Sequence, residues 1–208
     1  MDQLSLFPVT YTILAITVLV SLVAFNNEEL KNNCLFYPYA MTSPSQYYRF
    51  FSHGLIHADY IHLFFNMFTL YSFGKAAEYL LFSKTEYIIL YVSALVASSL
   101  FDFIKNKHNP RYAALGASGA VSAIIFSTLI LDPWAKGVAI FGVIAIPNII
   151  FAVLYLFYCA YMSKRGRDNI GHNAHMWGAI YGFAFTALLN PDLFKSFIDK
   201  LMHPSFLN

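Results

Sequence analysis

Residues 113–131 read AALGASGAVSAIIFSTLIL, a run with no charged side chain, small at its start and bulky at its end. It approaches the about 20 mostly apolar residues that a helix needs to cross a bilayer. Asp132, Pro133 and Trp134 then place a charge, a helix breaker and an interfacial anchor in succession. Working outward, five more runs have the same character. The six predicted spans cover about 8–25, 60–77, 87–104, 115–131, 148–162 and 174–189. They predict one domain over residues 1–208, an all-α polytopic membrane protein built as a six-transmembrane-helix bundle. The first run has no Lys or Arg before it and no clean small-residue cleavage site after it, so it reads as a retained span.

Between the first two spans, residues 26–57 are polar yet rich in rings (Phe36, Tyr37, Tyr39, Tyr47, Tyr48, Phe50, Phe51). Such a segment fits headgroup depth better than water. Residues 105–111 and 163–169 read as aqueous loops. The apolar stretch 137–162 exceeds one span and contains Pro147. An extended or interfacial piece up to Ile146, followed by a span, is the preferred reading, with one kinked helix as the alternative.

Composition agrees. Of 208 residues 58% are hydrophobic, 18% aromatic and 12% charged, with a mean hydropathy of +0.54. A soluble domain carries about 25% charged residues, so the supply for a wet surface is half the usual one. The net charge of +2 has no basic block, which excludes nucleic acid as a partner. Cys34 lies in a polar stretch and Cys159 in an apolar run, a setting that argues against pairing them. Lys and Arg number five in loops on the side of the termini and eight opposite, which favours termini outside.

Polar groups at membrane depth are functional candidates by default. Gly116-Ala117-Ser118-Gly119 sets a serine between residues that allow a sharp turn and close approach of a substrate. At a helix N-terminus, unsatisfied N–H groups and a partial positive charge would favour an oxyanion. The plain alternative is close helix packing with a back-bonded serine. On a helix, Gly171, His175, Gly178 and Gly182 form one stripe of glycine interrupted by an imidazole. His175 there is either a packed core histidine or, beside a serine, a general base. His62 and Asn66 lie one turn apart, as donors for a developing negative charge or as interhelical glue. Together the three sets provide nucleophile, base and donors for acyl transfer. No acidic residue stands at comparable depth to orient the histidine, since Asp168 belongs to the loop before it.

On these residues the chain resembles the rhomboid family of intramembrane serine proteases, in its bacterial six-span core form. The matching elements are His62-x-x-x-Asn66, Gly116-x-Ser118-Gly119 and Ala174-His175-x-x-Gly178, on the second, fourth and sixth spans. The resemblance implies Ser118 as nucleophile and His175 as base. It implies an oxyanion hole from the Ser118 backbone N–H, His62 and Asn66, with Gly116, Gly119 and Gly178 in support. It implies a membrane-embedded first loop carrying Tyr48-Arg49, and Glu78 as a partner for that Arg. Where some bacterial members have a tyrosine stacked on the catalytic histidine, Ser122 stands here. The implied setting is a bacterial inner membrane with cytoplasmic termini, against the charge count. The implied partners are transmembrane protein substrates and the bilayer, and cleavage should prefer helix-weakening residues and a small residue before the cut.

Two other classes compete. A non-catalytic relative would bind client transmembrane helices, although Ser118 and His175 are both present. A metal or haem protein would use His172 and His175, or His57 and His62. Neither pair has a carboxylate at ligand spacing, no cysteine is nearby and HExxH is absent, so neither metal nor cofactor is expected.

Overall fold

Each long helix begins where local chemistry allows it. The computed structural model describes residues 6–136, 138–140, 144–165 and 171–204. Helix α1, Pro8–Ala24, starts with proline at its first turn, where a missing N–H is harmless. Asn27 caps α2, Glu28–Cys34, by accepting from the Leu30 N–H at 2.9 Å. A short α3, Arg49–Ser52, follows two 3-10 turns. Asp59 accepts from the His62 N–H at 2.7 Å and opens α4, Tyr60–Leu80. Ser83 and Glu86 form a reciprocal capping box at the start of α5, Lys84–Asn106. Then come α6, Ser118–Leu129, strands β1, Val138–Ile140, and β2, Ile144–Ile146, and helices α7, Asn148–Arg165, α8, His172–Leu189, and α9, Pro191–Met202.

The bundle buries many hydroxyl side chains while exposing large apolar ones. Thr10, Thr17, Ser21, Ser98, Ser99, Ser122, Ser127 and Thr186 are buried. Phe64 and Phe68 on α4, Phe157 on α7 and Leu19 on α1 are more than half exposed. Large apolar side chains facing outward, with hydroxyls buried among the apolar core, suit a lipid solvent. Helix α5 is long and apolar enough to cross a membrane unaided, whereas α1 and α6 are apolar but shorter. Helix α6 sits centrally, with every residue after Ser118 buried.

Helices form within each of the six expected spans, with shifted ends. The fourth is shorter than 115–131, because Gly116 takes a φ of +110°, which no helix accommodates. The piece before Pro147 is extended, an antiparallel ribbon pairing Val138 with Ile146 and Ile140 with Ile144, so among the described residues the named elements are helices apart from this ribbon. Asn148 anchors α7 by donating to the Asp132 carbonyl at 2.9 Å. Helix α9 was not expected. Its signal was present in Phe194, Phe197, Ile198 and Leu201, spaced for one apolar helix face. Arg167, Asp168 and Asn169 of the expected aqueous loop lie outside the described residues.

Candidate active site

Ser118 owes its position to the first loop as much as to its own helix. Phe36 and Ala114 exchange two backbone hydrogen bonds of 2.9 Å, a one-pair bridge between that loop and the segment leading to the serine. The Gly116 N–H donates to the His53 carbonyl at 2.8 Å. Arg49, itself buried, holds the loop together by donating to the carbonyls of Asn32 and Leu35 at 2.9 and 2.8 Å and to Gln46 Oε1 at 2.9 Å. Those carbonyls close α2, where a cation also meets the negative end of the helix dipole.

Glycines then bring α8 against α6. A methyl group on Gly178 would strike the Gly119 carbonyl, and one on Gly182 would strike the Ala123 carbonyl. Both steps are four residues, so the two helices run parallel with backbones touching over a full turn. Ser98 similarly fills the space beside Gly119. Ser118 directly precedes Gly119, and His175 stands one turn before Gly178. Gly171, the fourth member of the stripe, meets no such neighbour and lies just before α8 as its N-cap.

Both residues are half-buried and line one cavity of about 840 Å³, together with His62, Asn66, Gly116 and Gly119. Among the described residues no hydrogen bond joins Ser118 to His175, which is common in unliganded sites that tighten around substrate. The Ala58 N–H donates to His62 Nδ1 at 3.5 Å, leaving Nε2 as the donor of a neutral ring. That ring faces Gly116 so closely that an added Cβ would lie 2.7 Å from Cε1 and 3.0 Å from Nε2. Asn66 is buried and spends one N–H on the His62 carbonyl at 3.0 Å, which leaves a second. Helix α6 receives no side-chain cap, so its first N–H groups open toward the same space.

Two loop histidines pack behind these groups. Burial holds the His53 imidazole down to about 4. Burial first, and His62 beside it second, hold His57 down to about 3. Both rings are therefore neutral at physiological pH.

Several expectations need correction. Glu78 does not pair with Arg49. It accepts from the backbone N–H groups of Val9 and Thr10 at 2.9 and 2.8 Å and from Thr10 Oγ1 at 2.7 Å, capping α1 from outside. A carboxylate does stand at the cavity: Asp102 on α5 is buried and accepts from Asn173 Nδ2 at 2.9 Å rather than meeting His175. Ser122 meets a tyrosine from another helix, its oxygen 2.6 Å from the Tyr155 hydroxyl. The His175 ring packs edge-on to His172, centroids 6.1 Å apart, and His172 packs on Tyr158 at 5.5 Å. Finally, a cysteine is near these histidines. Cys159 on α7 brings its sulfur within 4.8 Å of ligand nitrogens of both His172 and His175.

The chain is similar to known proteins. The chain is 27% identical over 167 residues to Rhomboid-like protein 15 of Arabidopsis thaliana, a match covering 73% of this chain and 39% of that protein. It is 27% identical over 147 residues to Rhomboid protease GlpG of Haemophilus influenzae, covering 70% of this chain and 71% of that protein. The chain thus spans about two fifths of the plant relative's length and most of the bacterial one's. The Rhomboid domain family model matches residues 44–191, a stretch that holds α4 to α8 and every cavity-lining residue on those helices. The chain belongs to the rhomboid family of integral membrane proteins.

Proposed function

We propose that this protein is an intramembrane serine endopeptidase that cleaves transmembrane segments of membrane proteins, crossing the bilayer six times with cytoplasmic termini. The observation that carries the reading is the shared cavity of Ser118, His175, His62 and Asn66, held by glycine contacts between α6 and α8. Ser118 Oγ attacks the scissile carbonyl carbon while His175 accepts its proton. Negative charge on the carbonyl oxygen meets the Ser118 backbone N–H, His62 Nε2–H and the free N–H of Asn66. Collapse breaks the C–N bond as His175 returns the proton to the leaving amine. Water then attacks the acyl-serine, with His175 again as base, and releases the new carboxyl end.

Site depth fits such a substrate. Helix α6 rises about 18 Å, some 12 Å less than the hydrocarbon thickness of about 30 Å. Its Ser118 end therefore lies below the lipid surface, in a cavity where Ser118, His62, Asn66 and Asp102 interrupt a mostly apolar lining and give water polar partners. A helical substrate shields its own carbonyls, so cleavage requires a helix that unwinds near one end.

The test is reconstitution with a transmembrane substrate. Wild type is expected to cleave, with Ser118→Ala and His175→Ala both inactive; cleavage by Ser118→Ala would refute the mechanism. A fluorophosphonate probe is expected to label wild type at Ser118. Neither labelling nor cleavage would point instead to a protein that binds client helices without cutting them.

A further inference from the structure

We propose that Cys159, His172 and His175 form a site for a borderline-soft divalent cation, zinc above all, and that occupation of this site switches proteolysis off. The inference rests on the reading of His175 as the catalytic base. The three residues come from two helices. His172 and His175 sit one turn apart on α8, and α7 packs against that face to deliver Cys159. Their ligand atoms all lie within 4.8 Å of one another. In a tetrahedral zinc site, bonds of about 2.0–2.1 Å to nitrogen and 2.3 Å to sulfur set ligand atoms about 3.3–3.6 Å apart. Side-chain rotations that close each gap by about an ångström would complete the geometry.

The donor set selects the cation. One thiolate and two imidazoles suit zinc, cobalt or copper and are poor ligands for magnesium or calcium, which prefer oxygen. Cys159 and His172 are buried, and His175 is half-buried at the cavity wall, so a fourth position can face the cavity and hold water. Binding replaces the thiol proton by the metal and releases that proton to water.

The consequence for catalysis follows from the electron count of imidazole. A neutral ring has one in-plane lone pair, and its other nitrogen carries hydrogen. A metal that takes this lone pair leaves nothing to accept the Ser118 proton, whichever nitrogen it binds. His172 and Cys159 take no part in the proposed peptide cleavage. Their role is to capture the cation that disables their neighbour.

The full chain in detergent, stripped of metal with a chelator, provides the test. Cobalt titration is expected to give one thiolate charge-transfer band per chain in wild type, Cys34→Ala and Ser118→Ala. The same band should vanish in Cys159→Ala and Cys159→Ser. Zinc is expected to inhibit cleavage reversibly, with activity restored by chelator. Each variant is compared with its own zinc-free rate. In Cys159→Ala and His172→Ala the half-inhibitory zinc concentration should rise beyond the about 10–100-fold seen for losing an outer-shell partner. No cobalt band in wild type, or a band unaffected by Cys159→Ala, overturns the site. A band without zinc inhibition overturns the switch. The spectroscopic result is readable in a chain that cleaves nothing, so failure of the protease reading and failure of the metal site are separate results.

Discussion

Replacing Gly116 by alanine tests the oxyanion geometry directly. Its φ of +110° is the only positive value among the described glycines, and L side chains there are strained by about 1–3 kcal/mol. The new methyl also lands 2.7 Å from His62 Cε1, inside contact distance, so the ring must swing away or the loop must retreat from it. Either movement withdraws Nε2–H from the Ser118 end of α6. Loss of one oxyanion donor costs about 2.7–4 kcal/mol of transition-state stabilisation, a fall of about 10²–10³ in kcat. Gly116→Ala is therefore expected to lose kcat by that factor while thermal stability in detergent falls by only about 1–3 kcal/mol. The assay is steady-state cleavage of a reconstituted transmembrane substrate beside thermal unfolding of the same preparation. His62→Ala should lose kcat similarly, and the double variant should lose little more than either. A Gly116→Ala protein with kcat within a few-fold of wild type would show that the His62 ring does not serve the reaction from this position.

Glu78→Gln keeps the shape of the α1 cap but removes its charge and turns one acceptor into a donor facing N–H groups. Stability is expected to fall by about 1.5–3 kcal/mol, read by thermal unfolding; an unchanged midpoint would refute the cap. Gly178→Val should disrupt folding or activity far more than Gly171→Val, since only Gly178 abuts a backbone carbonyl; equal effects would remove the contact from the argument. His53 and His57, held to about 4 and about 3 in the fold, make stability pH-dependent with a definite sign. Above their unfolded value of about 6.5 neither state binds a proton, and below it only the unfolded chain does, so stability declines from about pH 6.5 toward pH 4 and 3. By pH 5 the loss is about 2 kcal/mol for each ring. Thermal unfolding at pH 7 and 5 reads it, with His53→Gln expected to flatten the slope, and a pH-independent midpoint would contradict the burial.

Hydropathy located the six helices of the predicted spans but not their ends. The second and third runs stop short of Glu78 and begin after Glu86, because polar residues do not score as lipid-facing. Yet Glu78 still lies inside α4, and Ser83 with Glu86 starts α5 a turn earlier. Caps show where a helix begins, and apolar runs show only where it meets lipid. The polar sets around Ser118, His175 and His62 were legible because glycines flank them or because they recur one turn apart. Cys159 was not, since it precedes His172 by more than three turns of sequence and meets it only through the packing of α7 on α8. Asp102 was hidden for the opposite reason: one acid near the end of an apolar run looks like the edge of the membrane. Its buried carboxylate accepts from Asn173 of α8, a partner that no spacing within α5 announces.

The caps also set α6 apart from α1, α2, α4 and α5. Asn27, Asp59 and Ser83 each satisfy the N-terminal donors of their own helices with a side chain. Helix α1 borrows the carboxylate of Glu78 for the same purpose. At the corresponding place in α6 stands Ala117, a residue with no acceptor, fully buried and with no side-chain hydrogen bond. Ala in place of Ser, Asp or Asn at that position costs a helix about 1 kcal/mol. What the chain retains in return is a set of N–H groups at the cavity, unclaimed by a side-chain cap. The two-sided tie of Phe36 to Ala114 and the Gly116–His53 hydrogen bond hold the approach to this end, replacing the rigidity that a cap would have supplied. An uncapped helix start, fixed from outside and open to a ligand, is the arrangement that a developing oxyanion requires.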